Sequence, residues 1–310
     1  MNKLIHPTSS LLNLACGQTR HDGWLNVDQF EQDGVFACDL RQPLPFDDHS
    51  FDVLYSSHFL EHLRDPEARS FLRECMRVLK PGGILRLVVP NLEDIARDYL
   101  GIIDGLENES DLKTEHQWIL LELFDQMTRE KPQGTMGPFL SEREKKESKF
   151  IRKRIGGAIE FFDSRSGCNI DQTVAPSSSI FSLLKKLLKE SDFRTDRFIK
   201  LFFPKHHKSY LLHPSGSIFV EICHLLTPGI SYREIKSSKF RNSGEVHFQA
   251  FDRFSLKWLL EDIGFVKIEQ MKADRSQIKN WKEFFLDCGP DGSIRKADSL
   301  YVEAMKPDPN

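Results

Sequence analysis

Two short apolar runs of the 310-residue chain each end in residues that could hold a nucleoside. The first run ends in a turn of small residues, Ala15-Cys16-Gly17, and the second ends in the carboxylate of Asp28. In an open α/β sheet, ligands bind across the carboxyl ends of the strands, where small residues let the backbone approach closely. A carboxylate there can accept hydrogen bonds from both hydroxyls of a ribose. We therefore expect Ala15, Cys16 and Gly17 to contact a nucleoside cofactor and Asp28 to hold its ribose.

Three further residues extend this candidate site. Asp39 follows a third apolar run, and its carboxylate could accept a hydrogen bond from the exocyclic amine of an adenine. Ser57 and His58 end a fourth run that we expect to border the same crevice. The G-x-G-x-x-G fingerprint, which seats a pyrophosphate on a helix N-terminus, is missing after Gly17. Its absence counts against a dinucleotide oxidoreductase.

Strands and helices alternate towards both ends of the chain, which is typical of an α/β fold. A helix begins at Asp65-Pro66 and ends before Pro81, because apolar side chains recur on one stripe between them. Five short apolar or β-rich runs predict strands, at Leu11–Ala15, Trp24–Asp28, Val35–Cys38, Asp52–Ser56 and Ile84–Val89.

Further along the chain, Ser255 can cap a helix that ends at Gly264. Two more runs, Phe265–Met271 and Leu300–Lys306, predict closing strands. We therefore expect a doubly wound, mostly parallel, Rossmann-like α/β sheet of seven strands, interrupted by a long, mainly helical insertion. The expected segments are 1–100 and 246–310 for the sheet domain and 101–245 for the insertion.

The loops between the first three strands are too short to contain helices. Only Gly17 to Gly23 connect the first two strands, and seven extended residues span roughly 23 Å, enough for a return loop. One face of the sheet therefore lacks its usual helices, and a bare apolar face is unstable in water. We expect helices between Leu92 and Leu188 to cover that face or the mouth of the site. A dimer that buries the face is the alternative.

Five motifs stand between Leu12 and Asp94. They are Ala15-Cys16-Gly17, Gly23-Trp24-Leu25-Asn26-Val27-Asp28, Asp39-Leu40 through Phe51-Asp52, His58-Phe59-Leu60-Glu61-His62-Leu63 and Arg77-Val78-Leu79-Lys80-Pro81-Gly82-Gly83. In this combination the run resembles the class I S-adenosylmethionine (SAM)-dependent methyltransferases. The resemblance implies SAM as the cofactor and adds Leu40 to the residues that bind it. Ala15 stands where the family usually has glycine, and because alanine resists positive φ we expect somewhat weaker SAM binding.

Transfer of a methyl group from a sulfonium is an in-line displacement, which an enzyme promotes mainly by alignment in a dry site. A hydroxyl acceptor also needs a group that takes its proton. Glu61 and His62 follow the fourth strand and His247 precedes the C-terminal helix, so both segments should border the methyl group. We favour His247 as a base or substrate clamp. For His62 and Glu61 the alternative is a helix cap and an ion pair with Arg64 or Arg69, and both interpretations stay open.

The spacing of two other groups of polar residues is more typical of structural than of catalytic roles. Glu122, Asp125, Gln126 and Arg129 share one helix in the acid-to-base order of a salt-bridged face. Similar proteins have a comparable Asp-Gln-x-x-Arg stretch, so substrate contact stays open there. We expect no metal site, because the closely spaced histidines lack a carboxylate at ligand spacing. These histidines are His206, His207 and His213.

Composition disfavours some classes of partner. The net charge of −3 and the isoelectric point near 6.4 argue against nucleic acid as an obligatory partner. No run of about 18 apolar residues occurs, so we expect no membrane span and a cytoplasmic protein. The amphipathic, lysine-rich segment 180–189 could touch an anionic membrane, although packing against the core is the favoured interpretation.

We therefore expect a methyltransferase that acts on an oxygen or nitrogen of a small-molecule or glycan-type acceptor, as a monomer or homodimer. The alternative is a degenerate SAM-binding protein that serves as a partner or regulatory subunit. Ala15 and the lack of an unmistakable base motivate that alternative. Turnover separates the two, because both would bind SAM.

Overall fold

The computed structural model describes residues 9–106, 112–142, 147–156, 240–241 and 244–308. The chain divides into two units, Met1–Gly167 with Asn242–Asn310, and Cys168–Arg241. Of the second unit, the described residues include only Phe240 and Arg241. The amphipathic segment 180–189 and the three closely spaced histidines, His206, His207 and His213, lie outside the described residues.

A seven-stranded sheet in the order β3-β2-β1-β4-β5-β7-β6 forms the centre of the first unit. β7 runs antiparallel to both of its neighbours, and the other pairs are parallel, which confirms the expected mostly parallel sheet. β5 begins five residues earlier than predicted, at Leu79, and irregular pairing with β4 accommodates the extra residues. The strands are β1 (Leu11–Leu14), β2 (Leu25–Asp28), β3 (Val35–Ala37), β4 (Phe51–Ser57), β5 (Leu79–Pro90), β6 (Val266–Met271) and β7 (Ser299–Met305).

The helices divide between the sheet and the insertion. They are α1 (Asp65–Val78), α2 (Leu92–Leu106), α3 (Lys113–Thr128), α4 (Met136–Ser141), α5 (Lys149–Ile155) and α6 (Arg253–Ile263), with 3-10 turns at Leu60–His62 and Trp281–Phe284. The domain boundary predicted at residue 100 falls inside α2. Gly264 ends α6 with φ +104°, in the left-handed turn that the sequence predicts.

The N-cap of α6 is Asp252, three residues before the predicted cap at Ser255. The Asp252 carboxylate accepts hydrogen bonds from the backbone N–H groups of Phe254 and Ser255, at 2.8 and 2.9 Å. The Ser255 hydroxyl in turn accepts the Asp252 N–H at 3.0 Å. Both residues therefore belong to a capping box, in which the carboxylate is the better anion for the positive end of the helix dipole.

One face of the sheet is covered by α1 and α6. Their apolar stripes meet the inward side chains of the strands in the largest core formed by the described residues. Phe71 and Leu72 of α1 and Leu256 and Leu260 of α6 are buried there against Leu12, Leu14, Val27, Leu54 and Leu87 of the strands.

The opposite face is covered by the connection between β6 and β7, and the described helices between Leu92 and Leu188 contribute no residue to this core. Trp281 packs over Tyr55 and Trp24, with ring centroids 5.4 and 6.3 Å apart. Ala273, Ile278 and Leu286 from the same connection, with Tyr55, Val53 and Val88 from the strands, complete this second core. The expectation that no helix follows β1 or β2 is correct for residues 15–24 and 29–34, all of which are described. The connection supplies the cover that those loops are too short to provide.

A buried arginine fixes this connection to the sheet. Arg86 of β5 is fully buried and donates to Asp287 Oδ2 at 2.8 Å and to Glu303 Oε1 at 2.6 Å. It also donates to the backbone carbonyls of Lys272 and Arg275, at 2.9 and 3.1 Å. Burial alone would lower the pKa of Arg86, but the two carboxylates outweigh that effect and raise it. The guanidinium thus satisfies both buried acids and the ends of a loop that has little regular structure.

The helices of the insertion pack mainly on one another within the described residues. Ile95 and Ile102 of α2 meet Ile119 of α3 in one small core. Trp118 of α3 joins α4 and α5 in another. In the part of the chain that is described, we find no helix long and apolar enough to cross a membrane.

Candidate active site

The ends of β1 and β2 meet as the sequence predicts. The Gly17 N–H donates to Asp28 Oδ2 at 2.8 Å, and the Gln29 N–H donates to Asp28 Oδ1 at 2.7 Å. Ala15 and Gly17 both have positive φ, +55° and +53°. A carboxylate has about four lone-pair positions, so both Asp28 oxygens can still accept a hydroxyl. The turn therefore presents one carboxylate, held by two backbone N–H groups, at the edge of the sheet.

Cys16 and Leu40, which the sequence analysis expects to contact the cofactor, both have buried side chains. Cys16 is 5% exposed, and burial, reinforced by the charge of Asp28, raises the pKa of its thiol to about 11. The thiol is therefore protonated at neutral pH and does not act as a nucleophile. The Leu40 side chain, also 5% exposed, belongs to the core under the site.

Asp39 is paired with Arg41. Its Oδ1 lies 2.9 Å from Arg41 Nε, and its Oδ2 lies 3.3 Å from the same guanidinium. Burial raises the pKa of Asp39, but the hydrogen bonds from Arg41 outweigh it and the net shift is downward. Asp39 is therefore ionised, and its side chain is 39% exposed at the end of β3.

His58 and Ser57 connect the end of β4 to the beginning of β7. The His58 Nε2 lies 2.8 Å from the Ser299 hydroxyl, and the Lys296 ammonium donates to the Ser57 hydroxyl at 3.2 Å. His58 has a φ of +52°, so three residues with positive φ border the same crevice. Burial, with a smaller contribution from Lys296, lowers the pKa of His58 well below its usual range. The ring is therefore neutral, and its Nδ1 lies 3.4 Å from Glu61 Oε1.

Glu61, His62 and His247 come together although about 185 residues separate the first two from the third. The Glu61 backbone carbonyl accepts the N–H groups of Phe248 and Gln249, at 2.8 and 3.2 Å. The His62 and His247 rings meet edge to face, with centroids 4.6 Å apart. Each of the three side chains has one ligating atom within 4.8 Å of the others. The structure thus gathers all three acceptor-side candidates into one group.

The two alternatives left open for Glu61 and His62 are not realised. Arg69 pairs with Asp65 and Asp262, and Arg64 pairs with Glu67. The His62 ring caps no helix. Its Nδ1 lies 3.2 Å from the backbone carbonyl of Val246, and since a carbonyl only accepts, Nδ1 carries the hydrogen.

The electrostatics of this group are dominated by burial. Burial raises the pKa of Glu61 to about 8, and both carboxylate oxygens lack a hydrogen-bond partner among the described residues. Burial lowers the pKa of His62 to about 4 and that of His247 well below its usual range. Both imidazoles are therefore neutral at pH 7, and each has a lone pair that can accept a proton.

The C-terminal end of α3 borders the histidines. The His247 N–H donates to the Gln126 carbonyl at 3.0 Å, and the charge of Arg129 contributes to lowering the pKa of both histidines. The insertion therefore reaches the mouth of the site, the second of the two positions expected for it. The predicted salt-bridged face is confirmed for Asp125 and Arg129, which are 2.8 Å apart, whereas Glu122 pairs with Arg154 of α5.

The sequence analysis missed Lys296 and Ser299. Ser299 is the first residue of β7 and pairs with Pro90 at the end of β5, and Lys296 lies in the connection just before this strand. Because β7 is antiparallel, its first residues lie at the carboxyl edge of the parallel strands. An antiparallel assignment for the last strand would have pointed to them.

Comparison with known proteins gives the site a context. Residues 13–87 match the family described as methyltransferase domain. Ribosomal RNA-processing protein 8 of Rattus norvegicus is 42% identical over 74 residues, which are 23% of this chain and 15% of that protein. The chain therefore matches only a small part of the length of this curated relative.

Solved structures with similarity include an S-adenosylmethionine-dependent methyltransferase from Mesorhizobium loti, at 23% identity and a TM-score of 0.22 over 26% of this chain and 46% of that one. The YcgJ protein of Bacillus subtilis has 23% identity and a TM-score of 0.23 over 31% and 50% of the two chains. The CurJ carbon methyltransferase has 11% identity and a TM-score of 0.34 over 96% and 48%.

Proposed function

We propose that this chain, whose residues 13–87 carry a class I methyltransferase domain, transfers the methyl group of SAM to an oxygen or nitrogen of a small-molecule or glycan-type acceptor. The observation that carries the proposal is the Gly17 to Asp28 contact. It holds a carboxylate at the carboxyl edge of the central strands, where a ribose binds in folds of this topology. Among the residues that the structure describes, two backbone N–H groups and no basic side chain bind Asp28, so its oxygens are available to hydroxyl donors.

The remaining cofactor contacts follow from the neighbouring strand ends. Ala15, Cys16 and Gly17 offer backbone at the turn, and Asp39 with Leu40 borders the adenine. Ser57 and His58 separate this cofactor side from the acceptor side. These residues would hold SAM beside the acceptor, and such alignment of the reactants would supply most of the rate enhancement.

On the acceptor side, Glu61, His62 and His247 form the reacting surface. For a hydroxyl acceptor, the neutral imidazole of His247 would accept the hydroxyl proton, and SAM, when bound, would supply the methyl group. A nitrogen acceptor that is already uncharged needs no base before attack. The partial exposure of both histidines leaves a side through which an acceptor can reach them.

Calorimetry of SAM binding tests the cofactor assignment. Asp28→Ala removes hydrogen bonds to an ionised group, each worth roughly 1.5–3 kcal/mol, so SAM should bind tenfold or more weakly. Asp22→Ala is the matched control, because Asp22 is an exposed carboxylate in the same β1 to β2 loop. Equal SAM affinity in the wild type and Asp28→Ala would contradict the assignment.

A methyl-transfer screen with labelled SAM identifies the acceptor class. We expect turnover with hydroxylated or amine-bearing small molecules and glycans. An RNA arm is included because the curated relative is named for ribosomal RNA processing, although the net charge of −3 provides no basic excess for a phosphate backbone. SAM binding without turnover on any acceptor would favour the regulatory alternative, which the alanine at position 15 motivates.

A further inference from the structure

The acceptor-side cluster has the composition of a metal site. It joins two imidazoles and one carboxylate, the ligand set of several catalytic zinc centres. We propose that Glu61, His62 and His247 bind a divalent transition-metal cation, for which Zn²⁺ is the reference ion. This site deepens the proposed function and rests on it in one respect, because the cation would face the methyl acceptor.

The hydrogen bond of His62 prepares its ring for a cation. Nδ1–H donates to the backbone carbonyl of Val246, so the lone pair lies on Nε2. Histidine ligands in proteins usually donate their second ring N–H to a carbonyl or carboxylate, which fixes the tautomer and the ring orientation. The ring of His247 packs edge to face against that of His62, and its backbone N–H is bound to Gln126. A backbone carbonyl therefore fixes the ring of His62, and a backbone hydrogen bond fixes the position of the His247 main chain.

The burial of Glu61 is an independent observation in favour of a bound cation. Its side chain is 1% exposed, and neither carboxylate oxygen has a hydrogen-bond partner among the residues described. His58 Nδ1 lies 3.4 Å from Oε1 without hydrogen-bond geometry, and the charge of Lys296 acts on Glu61 without donating a hydrogen bond to it. A buried carboxyl group without a partner is costly, and native proteins rarely keep one without a ligand or a catalytic role. A cation between Glu61 and the histidines would satisfy it.

The distances permit coordination with a small contraction. The three ligating atoms lie within 4.8 Å of one another. In a tetrahedral site with metal–ligand distances of about 2.1 Å, ligand atoms are about 3.4 Å apart, so the widest pair must close by roughly 1.4 Å or less. Rotation of side chains on the turn Leu60–His62 and on residue 247 can supply that movement.

The ligand set selects the kind of ion. Imidazole suits zinc, iron, cobalt and nickel, whereas magnesium prefers oxygen ligands and retains its waters. Three protein ligands leave at least one coordination position open on the side where the histidines are partly exposed. An acceptor hydroxyl bound there would lose its proton more readily, because a cation lowers the pKa of a bound hydroxyl. In that state His247 is a ligand, and the same lone pair no longer serves as the base.

The test is a titration of the metal-free full chain with Co²⁺, whose visible absorption reports coordination, followed by competition with Zn²⁺. We expect the wild type to bind one ion more than His62→Ala and His247→Ala. Glu61→Gln, which keeps the size of the side chain, should bind that ion at least tenfold more weakly. His116→Ala is the control, because His116 lies on α3 about 15 Å along the helix from Gln126 and should bind like the wild type.

Thermal unfolding and SAM calorimetry on the same samples separate the possible failures. Folded variants that bind as much Co²⁺ and Zn²⁺ as the wild type, with equal affinity, would overturn the metal site. If the histidine variants do not fold, the Glu61→Gln titration decides, and equal affinity there overturns the proposal as well. A chain that binds the metal but not SAM would support this site while refuting the proposed methyltransferase function.

Discussion

At the scale of single residues, the turn Ala15-Cys16-Gly17 stores conformational strain. Ala15 has a φ of +55°, a region that costs an L-residue with a Cβ about 1–2 kcal/mol relative to glycine-like freedom. His58 has the same sign of φ, at +52°, on the adjoining strand end. Strained backbone of this kind persists where the surrounding structure holds it, and here the Gly17 to Asp28 and His58 to Ser299 hydrogen bonds do so.

Ala15→Gly should therefore stabilise the protein by about 1 kcal/mol, with SAM affinity equal to or greater than that of the wild type. Urea denaturation measures the stability and calorimetry the affinity. The matched substitution Ala96→Gly, in the interior of α2, should have the opposite sign and cost about 1 kcal/mol, because glycine weakens a helix. A loss of stability in Ala15→Gly would show that the alanine side chain is needed for packing.

His247→Ala should leave SAM affinity unchanged and lower turnover by about 10²-fold or more, because the imidazole acts on the acceptor and not on the cofactor. Steady-state kinetics on an acceptor found in the screen measure the change. His116→Ala should keep the wild-type rate. A weakened SAM affinity in His247→Ala would instead move this residue to the cofactor side of the crevice.

At the scale of elements, the N-cap of α6 depends on pH. Backbone N–H donors from Ser255, then Phe254, lower the pKa of Asp252 below its usual 3.8. The carboxylate therefore stabilises the fold above the unfolded pKa, and the contribution is lost as the pH falls through the lower folded pKa. Asp252→Ala should cost about 1 kcal/mol at pH 7, whereas Asp252→Asn should remain close to the wild type.

Urea denaturation at pH 7 and pH 3 checks this dependence. At pH 3 the stability of the wild type relative to Asp252→Asn should be lower than at pH 7. Protonation weakens the carboxylate cap, whereas the amide cap does not titrate. Asp262→Ala, at the exposed end of the same helix, should cost about 0.5 kcal/mol or less. An equal loss in Asp252→Ala and Asp262→Ala would argue against a capping role.

Strand ends were predictable from the sequence because each strand carries its own signal. Gly17, Asp28 and Asp39 follow apolar runs, and parallel pairing brings such ends to one edge of a sheet. The burial of Glu61 was not predictable. It depends on Phe248 and Gln249, whose N–H groups bind the Glu61 carbonyl from a distant part of the chain. No local pattern encodes that contact.

The segment that covers the second face of the sheet was also not predictable from the sequence. Residues 272–298 have neither the helical nor the alternating period, so pattern analysis identifies them only as a loop. Their apolar side chains, led by Trp281, are spaced irregularly and pack because Arg86 holds the backbone carbonyls around them. The sequence analysis inferred correctly that this face needs a cover, but the cover among the described residues comes from a segment that it did not identify.

At the scale of the whole molecule, the stability of the second face depends on one buried guanidinium. Arg86→Leu leaves Asp287 and Glu303 buried without a cation, and should destabilise the protein by about 3–5 kcal/mol. The stability of Arg86→Lys should lie between those of the wild type and Arg86→Leu, since an ammonium cannot reach both acids and the loop carbonyls at once. Urea denaturation with tryptophan fluorescence follows the loss, because Trp281 packs beneath Arg86.

Arg97→Leu is the control for this prediction, because Arg97 is 69% exposed and its ion pair with Glu93 should contribute about 1 kcal/mol or less. Equal stability in Arg86→Leu and the wild type would mean that the connection is held by its apolar contacts alone. In that case Trp281→Ala should still cost about 3–5 kcal/mol.

The position of this cover in the chain has a consequence for synthesis on the ribosome. The first five strands are complete at Pro90, yet within the described residues their second face receives its cover only from the connection that precedes Ser299. At translation rates of roughly 5–20 residues per second, the nascent sheet waits on the order of 10–40 s with that face open. During this interval it is a natural client for chaperones that bind apolar surface. Folding of the sheet can therefore be completed only after β7 has been synthesised, and premature termination before β7 should yield a chain that is degraded.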